Sequence, residues 1–101
     1  MNATDLLQHL EHFRQLLETQ QRERYARDYP HSVPPTVTIK TGKKYIKVDI
    51  DRSGAYMVES DTGDIYGIKA YGVIHRGHKY GNVATVDAWS WGDYRAVPKS
   101  A

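Results

Sequence analysis

The sequence contains no cysteine, so a disulfide framework, a thiolate zinc site and a cysteine nucleophile are all excluded. It has no uninterrupted run of 18 apolar residues and no basic-then-apolar leader at its N-terminus, so a soluble, cytoplasmic protein with no membrane partner is expected. Phenylalanine occurs once against eight tyrosines, so much of the buried aromatic surface must carry hydroxyls that need partners. Charge of one sign is also scarce: the net charge is +2, too mild to support stable binding to duplex nucleic acid. No Walker glycine pattern, no ordered Ser/His/Asp set and no carboxylate cluster for two-metal chemistry is present. With 101 residues, 40% of them apolar, the chain forms one domain with a thin core, a situation in which association between copies often adds stability.

What is present divides into two halves, residues 1–29 and 36–98. The first 28 residues read as one amphipathic helix, with Asn2 or Thr4 as cap and Asp5 in the first turn, where the helix dipole favours an anion. Leu6, Leu10, Phe13 and Leu17 recur at 4-3-4 spacing, flanked by Leu7 and Leu16, and beyond Leu17 the stripe turns polar. So narrow a stripe serves either docking on the chain's own sheet or homo-oligomerisation through the helix. Tyr29-Pro30 ends the helix, because the residue before proline avoids the α region.

Beyond Pro34-Pro35 the pattern changes to period two. Thr36 to Thr41 alternates, Tyr45 to Asp51 points Ile46, Val48 and Ile50 to one face, and Asp51-Arg52-Ser53-Gly54 reads as a hairpin turn. Ala55 to Ser60 returns, Asp61-Thr62-Gly63-Asp64 turns again, and Ile65 to Ala70 makes a further strand. A Gly/aromatic loop is expected from there to Asn82, followed by closing strands at Val83 to Val86 and Ser90 to Val97. The fold class is therefore α+β, an N-terminal helix followed by an antiparallel meander of about five or six strands.

Residues 63–82 hold five of the eight glycines, interleaved with three tyrosines, two histidines and three cationic side chains. Glycines let backbone N–H groups approach phosphates, and tyrosines stack on bases. Tyr71, Arg76, His78, Lys79 and Asn82 are the candidate ligand contacts on this stretch, with Arg95 contributing from outside it. Each has a plain structural alternative: Tyr66 and Tyr80 can pack the sheet, Asn82 can sit in a turn after Gly81, and one of Trp89 and Trp91 belongs to the core. His75 and His78 form a His-x-x-His pair, but the neighbouring glycines oppose the helix that a two-histidine metal site would use, and no third ligand has evident spacing. The same pair could act as acid and base on RNA, with Lys69 or Lys79 stabilising the phosphate. No cofactor is called for.

The pieces Lys44 to Val48, Thr62 to Tyr66 (Thr-Gly-Asp-Ile-Tyr) and Gly81-Asn82 resemble small proteins of tailed phages, over about residues 44–95. In layout the chain is also similar to the first type of Thoeris anti-defence protein, which joins helical oligomerisation to a β-rich half and sequesters cyclic ADP-ribose isomers made by host TIR enzymes. That resemblance implies an aromatic stacked on adenine at Tyr71 or Tyr66, an asparagine contact at Asn82, and phosphate-binding arginines at Arg76 or Arg95. The expected function is a phage-encoded, non-enzymatic binder, homo-oligomeric through the N-terminal helix, that sequesters a cyclic nucleotide immune signal in the infected cell. Two alternatives stand beside it: inhibition of a host protein by direct contact, and a small metal-independent ribonuclease using His75 and His78.

Overall fold

In the computed structural model, which describes residues 2–91 and 96–99, helix α1 runs over Ala3–Asp28. The Asn2 side chain caps it by accepting a hydrogen bond from the Asp5 N–H at 2.8 Å. At the other end Tyr29 leaves helical geometry (φ −138°, ψ 63°) ahead of Pro30. Leu10, Phe13 and Leu17 are almost completely buried, and Gln21 extends the buried row by one turn. Burial of each of these three apolar side chains contributes about 1.5–3 kcal/mol. Phe13 tilts against Tyr56 (ring centroids 5.9 Å apart) and Trp91 (4.6 Å), so the stripe is spent on docking within the chain.

Strands β1 (Val37–Lys40), β2 (Tyr45–Ile50), β3 (Ser53–Glu59), β4 (Asp64–Ala70) and β5 (Val73–Asn82) form one antiparallel sheet in sequential order. Ile46 pairs with Val58 and Val48 with Tyr56, and Val58 in turn pairs with Ile65. That row faces α1 and makes the floor of the core. Tyr80 meets Tyr56 edge-on at 5.8 Å, and Trp91 does the same at 5.1 Å. The opposite row places Lys47 beside Met57, and Met57 beside Tyr66. Met57 is only 4% exposed, so this outer face carries apolar cover too. Its source is the β4–β5 hairpin, which leans back over β2 and β3: Tyr71 and Ile68 lie against Gly54, and Arg76 reaches Tyr45.

Four expectations are corrected. The stretch after Ala70 is strand β5 rather than a loop; Tyr71-Gly72 makes the turn, with Gly72 at φ +79°. Between Tyr66↔Lys79 and Gly67↔His75 the register jumps, so residues 76–78 bulge out of the ladder. The glycines therefore serve bulges and close packing: a Cβ at Gly77 would come 3.1 Å from the His75 ring, and one at Gly67 3.1 Å from His78. Val83–Ala88 is a 3₁₀ helix instead of a strand, because Asn82 caps Ala84 N–H at 3.0 Å while Thr85 Oγ1 accepts from the Asn82 N–H at 3.2 Å. The last strand is divided: β6 (Trp89–Trp91) and β7 (Ala96–Pro98) pair with each other in a separate two-stranded sheet. The turn after β2 is also tighter than expected, since Ser53 and Gly54 already belong to β3. Asp51 takes φ 53° there, and its carboxylate accepts from the Thr36 N–H at 3.0 Å.

Candidate functional site

The tip of the β4–β5 hairpin carries Tyr71 onto the outer face of β2. Its phenol donates to Asp49 Oδ2 at 3.0 Å and accepts from Lys40 Nζ at 3.2 Å. Lys40 Nζ also lies 3.6 Å from the same carboxylate oxygen. The hydrogen bond to Tyr71, reinforced by the Asp49 charge, pushes the Lys40 ammonium above its ordinary range, so it stays cationic at neutral pH. Lys47 Nζ sits 4.8 Å from the centre of the Tyr71 ring, a cation–π contact, and Lys40 Nζ sits 5.7 Å from it. Tyr71 as a whole remains about half exposed. It is an aromatic surface held in place at its hydroxyl and bordered by two lysines.

Asp49 is the unusual member of this group. It is 2% exposed, and its second oxygen, Oδ1, is buried with no hydrogen-bond partner among the described residues. Burying a carboxylate costs several kcal/mol unless charge and hydrogen bonds offset the loss of water. Here Tyr71 and Lys40 serve one oxygen only. A register shift between Val48 and Asp49 marks a bulge in β2, a device that re-aims side chains. Further along the outer row, Lys44 Nζ lies 5.5 Å from the Tyr45 ring centre, and Arg76 makes a long hydrogen bond of 3.4 Å to the Tyr45 hydroxyl. Lys40, Lys44, Lys47 and Arg76 place cations on this face around the buried Asp49 carboxylate, with the half-buried Glu59 opposite Tyr45 as a second acid.

Of the residues expected from sequence to contact a ligand, Tyr71 and Arg76 come to this face by contacts to β2. Lys79 and Asn82 have other partners. Lys79 pairs with Asp64 at 3.2 Å. Asn82 donates to Thr62 O at 2.7 Å and to Asp64 Oδ1 at 3.2 Å besides capping the 3₁₀ helix. Its φ of −138° is extended, and the left-handed conformation belongs to Gly81 (φ +74°). Burial works to raise the Asp64 carboxyl, but hydrogen bonds from Asn82 and Lys79 and the Lys79 charge outweigh it and hold the group below its usual range. His78 stacks face to face on His75, centroids 3.9 Å apart and 11° from parallel, and the buried His75 Nδ1 has no partner among the described residues. Arg95 lies outside the described residues. Tyr66 pairs with Met57 and Lys79 across the sheet.

Among the described residues no three His, Cys, Asp or Glu side chains group to hold a metal ion, and no helix is long and apolar enough to cross a membrane. A separate cavity of about 220 Å³ lies at the end of α1, lined by Arg22, Tyr25, Tyr29, Pro30 and Pro34 among others. It contains no carboxylate and a single cation, so it offers less chemistry than the Tyr71 face. Asp49, Lys40, Lys44 and Lys47 were the residues that sequence reasoning missed as site members. Asp49 carried one signal: it is an acid in the strand Tyr-Ile-Lys-Val-Asp-Ile, embedded in a lysine cluster. Compared with known proteins, the chain matches no family model, no curated protein and no solved structure.

Proposed function

We propose that this chain is a non-catalytic binder of a small anionic, ring-bearing ligand of the nucleotide type, captured on the outer face around Tyr71. The supporting observation is Tyr71, half exposed and fixed by hydrogen bonds to Asp49 and Lys40, with Lys47 and Lys40 beside its ring. Stacking of a base on such a ring contributes about 1–3 kcal/mol, and the lysines with Arg76 supply cations for phosphate. Sequestration of a cyclic nucleotide immune signal in a phage-infected cell, the setting implied by the resemblance, is the biological part of the proposal. Trapping of that kind needs a Kd at roughly nanomolar level, about −12 kcal/mol.

The ribonuclease alternative gains less support. Acid and base in 2′-hydroxyl chemistry must flank the phosphate, whereas His75 and His78 lie ring against ring. Thermal melts with cyclic ADP-ribose, AMP and GMP test the binding proposal. Ligand that binds the folded state raises Tm by mass action, and the rise is expected to vanish in Tyr71→Ala and shrink in Lys47→Ala. No rise in the wild-type protein with any of the three at millimolar concentration would sink it.

A further inference from the structure

Given nucleotide capture on this face, we infer that the ligand carries guanine, read by the Asp49 carboxylate once the Tyr71 phenol has withdrawn from it. Asp49 is only 2% exposed, and among the described residues only one of its two oxygens is served. A carboxylate has two oxygens and about four acceptor positions, so the pair of oxygens asks for two donors side by side. A buried oxygen left without a donor is rare enough to need a reason.

The donor cannot come on a cation. Lys40 Nζ is 3.6 Å from the carboxylate and Lys47 Nζ borders the same ring, so a guanidinium, an ammonium or a metal ion would enter against like charge. The ligand must therefore be anionic overall and yet present neutral N–H groups to Asp49. Among the common nucleobases, guanine alone offers two adjacent N–H donors, N1–H and the N2 amine, at the spacing of carboxylate oxygens. Adenine and cytosine offer one amine beside an acceptor nitrogen, and uracil offers one N–H between two acceptors. An acceptor nitrogen or oxygen facing a carboxylate repels it.

Tyr71 now plays the part of a stand-in donor. Its hydroxyl serves one of the two oxygens in the free protein, and its ring packs over Gly54, where an added Cβ would come 3.0 Å from it. The neighbouring Gly72, at φ +79°, gives the hairpin tip its turn. When the phenol moves aside, guanine takes both oxygens, the freed ring stacks on the base, and Lys40 and Lys47 face the phosphate.

Isothermal titration of the wild-type protein with GMP, IMP and AMP tests this directly, because IMP differs from GMP only by the N2 amine. GMP is expected to bind at least about tenfold tighter than IMP, since a site built for a donor discriminates against the analogue lacking it. AMP is expected to bind no better than IMP. Tyr71→Phe, which removes the competing hydroxyl and keeps the ring, should tighten GMP several-fold and leave AMP within twofold. Asp49→Asn, if its melt shows a folded protein, should bind GMP and AMP alike. Equal affinities for GMP, IMP and AMP would overturn guanine recognition while leaving nucleotide capture standing; no heat with any of the three would overturn both. A Tyr71→Phe protein whose GMP-to-AMP ratio is unchanged or lower would also overturn it, whatever the fate of the Asp49 variant.

Discussion

Glu18 in the middle of α1 accepts a hydrogen bond from the backbone N–H of Val37, the first residue of β1, at 3.0 Å through Oε2. The same oxygen accepts from Arg14 Nη1 at 3.0 Å. One helical side chain thus satisfies a backbone donor that faces away from β2. Glu18→Ala leaves that partly buried N–H unpaired, with an expected loss of about 1–3 kcal/mol. For a domain of this size each 1 kcal/mol lowers Tm by roughly 4–8 °C. Glu11→Ala, which removes an exposed partner of the same Arg14, should leave Tm nearly unchanged. Equal melting temperatures for the two variants would refute the assignment.

Gly72 and Gly81 both have positive φ, at +79° and +74°, but their surroundings differ. A Cβ at Gly72 meets nothing closer than 3.7 Å, while one at Gly81 falls 2.7 Å from Trp89 Nε1. Gly72→Ala should therefore cost only the left-handed backbone conformation, about 1–2 kcal/mol. Gly81→Ala should add overpacking of about 1–3 kcal/mol. Urea melts of the two proteins measure the difference, and equal losses would show that Trp89 gives way freely.

Asn82 is expected to act on stability rather than on ligand affinity. It caps the 3₁₀ helix and ties that cap to Thr62 and Asp64. Asn82→Ala should lower stability by about 1–3 kcal/mol, and the folded fraction should bind GMP within twofold of wild type. A large loss of affinity with an unchanged melt would return Asn82 to the ligand site.

The Asp64–Lys79 pair should appear in the pH dependence of stability. The folded Asp64 carboxyl lies below its reference value of 3.8, so its contribution is present above that pH and is lost as pH falls through the lower folded value. Lys79, raised above 10.5 first by its hydrogen bond to Asp64 and then by that charge, contributes below 10.5 and loses its part as pH rises through the higher folded value. The advantage of wild type over Asp64→Asn should therefore be constant from pH 5 to 9 and shrink between pH 4 and 2. An advantage that persists undiminished at pH 2 would contradict this assignment.

Much of the fold was legible in the residues. The 4-3-4 stripe gave Leu10, Phe13 and Leu17 as the buried face of α1, and simple alternation gave Ile46, Val48 and Ile50 as the buried apolar residues of β2. β5 was misread as a loop because Gly77 and Gly81 interrupt its alternation, and bulges erase the period-two signal without ending the strand. The 3₁₀ helix was misread because Val83 and Val86 look like strand residues, while the decisive Asn82–Thr85 exchange depends on hydrogen bonds between side chain and backbone. The candidate site was legible only in part. Tyr71 and Arg76 stand out by composition, but the partner of Tyr71 is Asp49, 22 positions away and brought close only by the lean of a hairpin.

The bulges of β5 have a further consequence when they are set beside the Glu18 contact to β1. These are the two outermost strands of the five-stranded sheet, the places where a foreign chain could add itself and seed aggregation. One presents a broken ladder, and the other has its first outward N–H already occupied. The stoichiometric capture proposed for this chain would require it to accumulate to the concentration of what it captures, and a sheet blunted at both margins suits that demand.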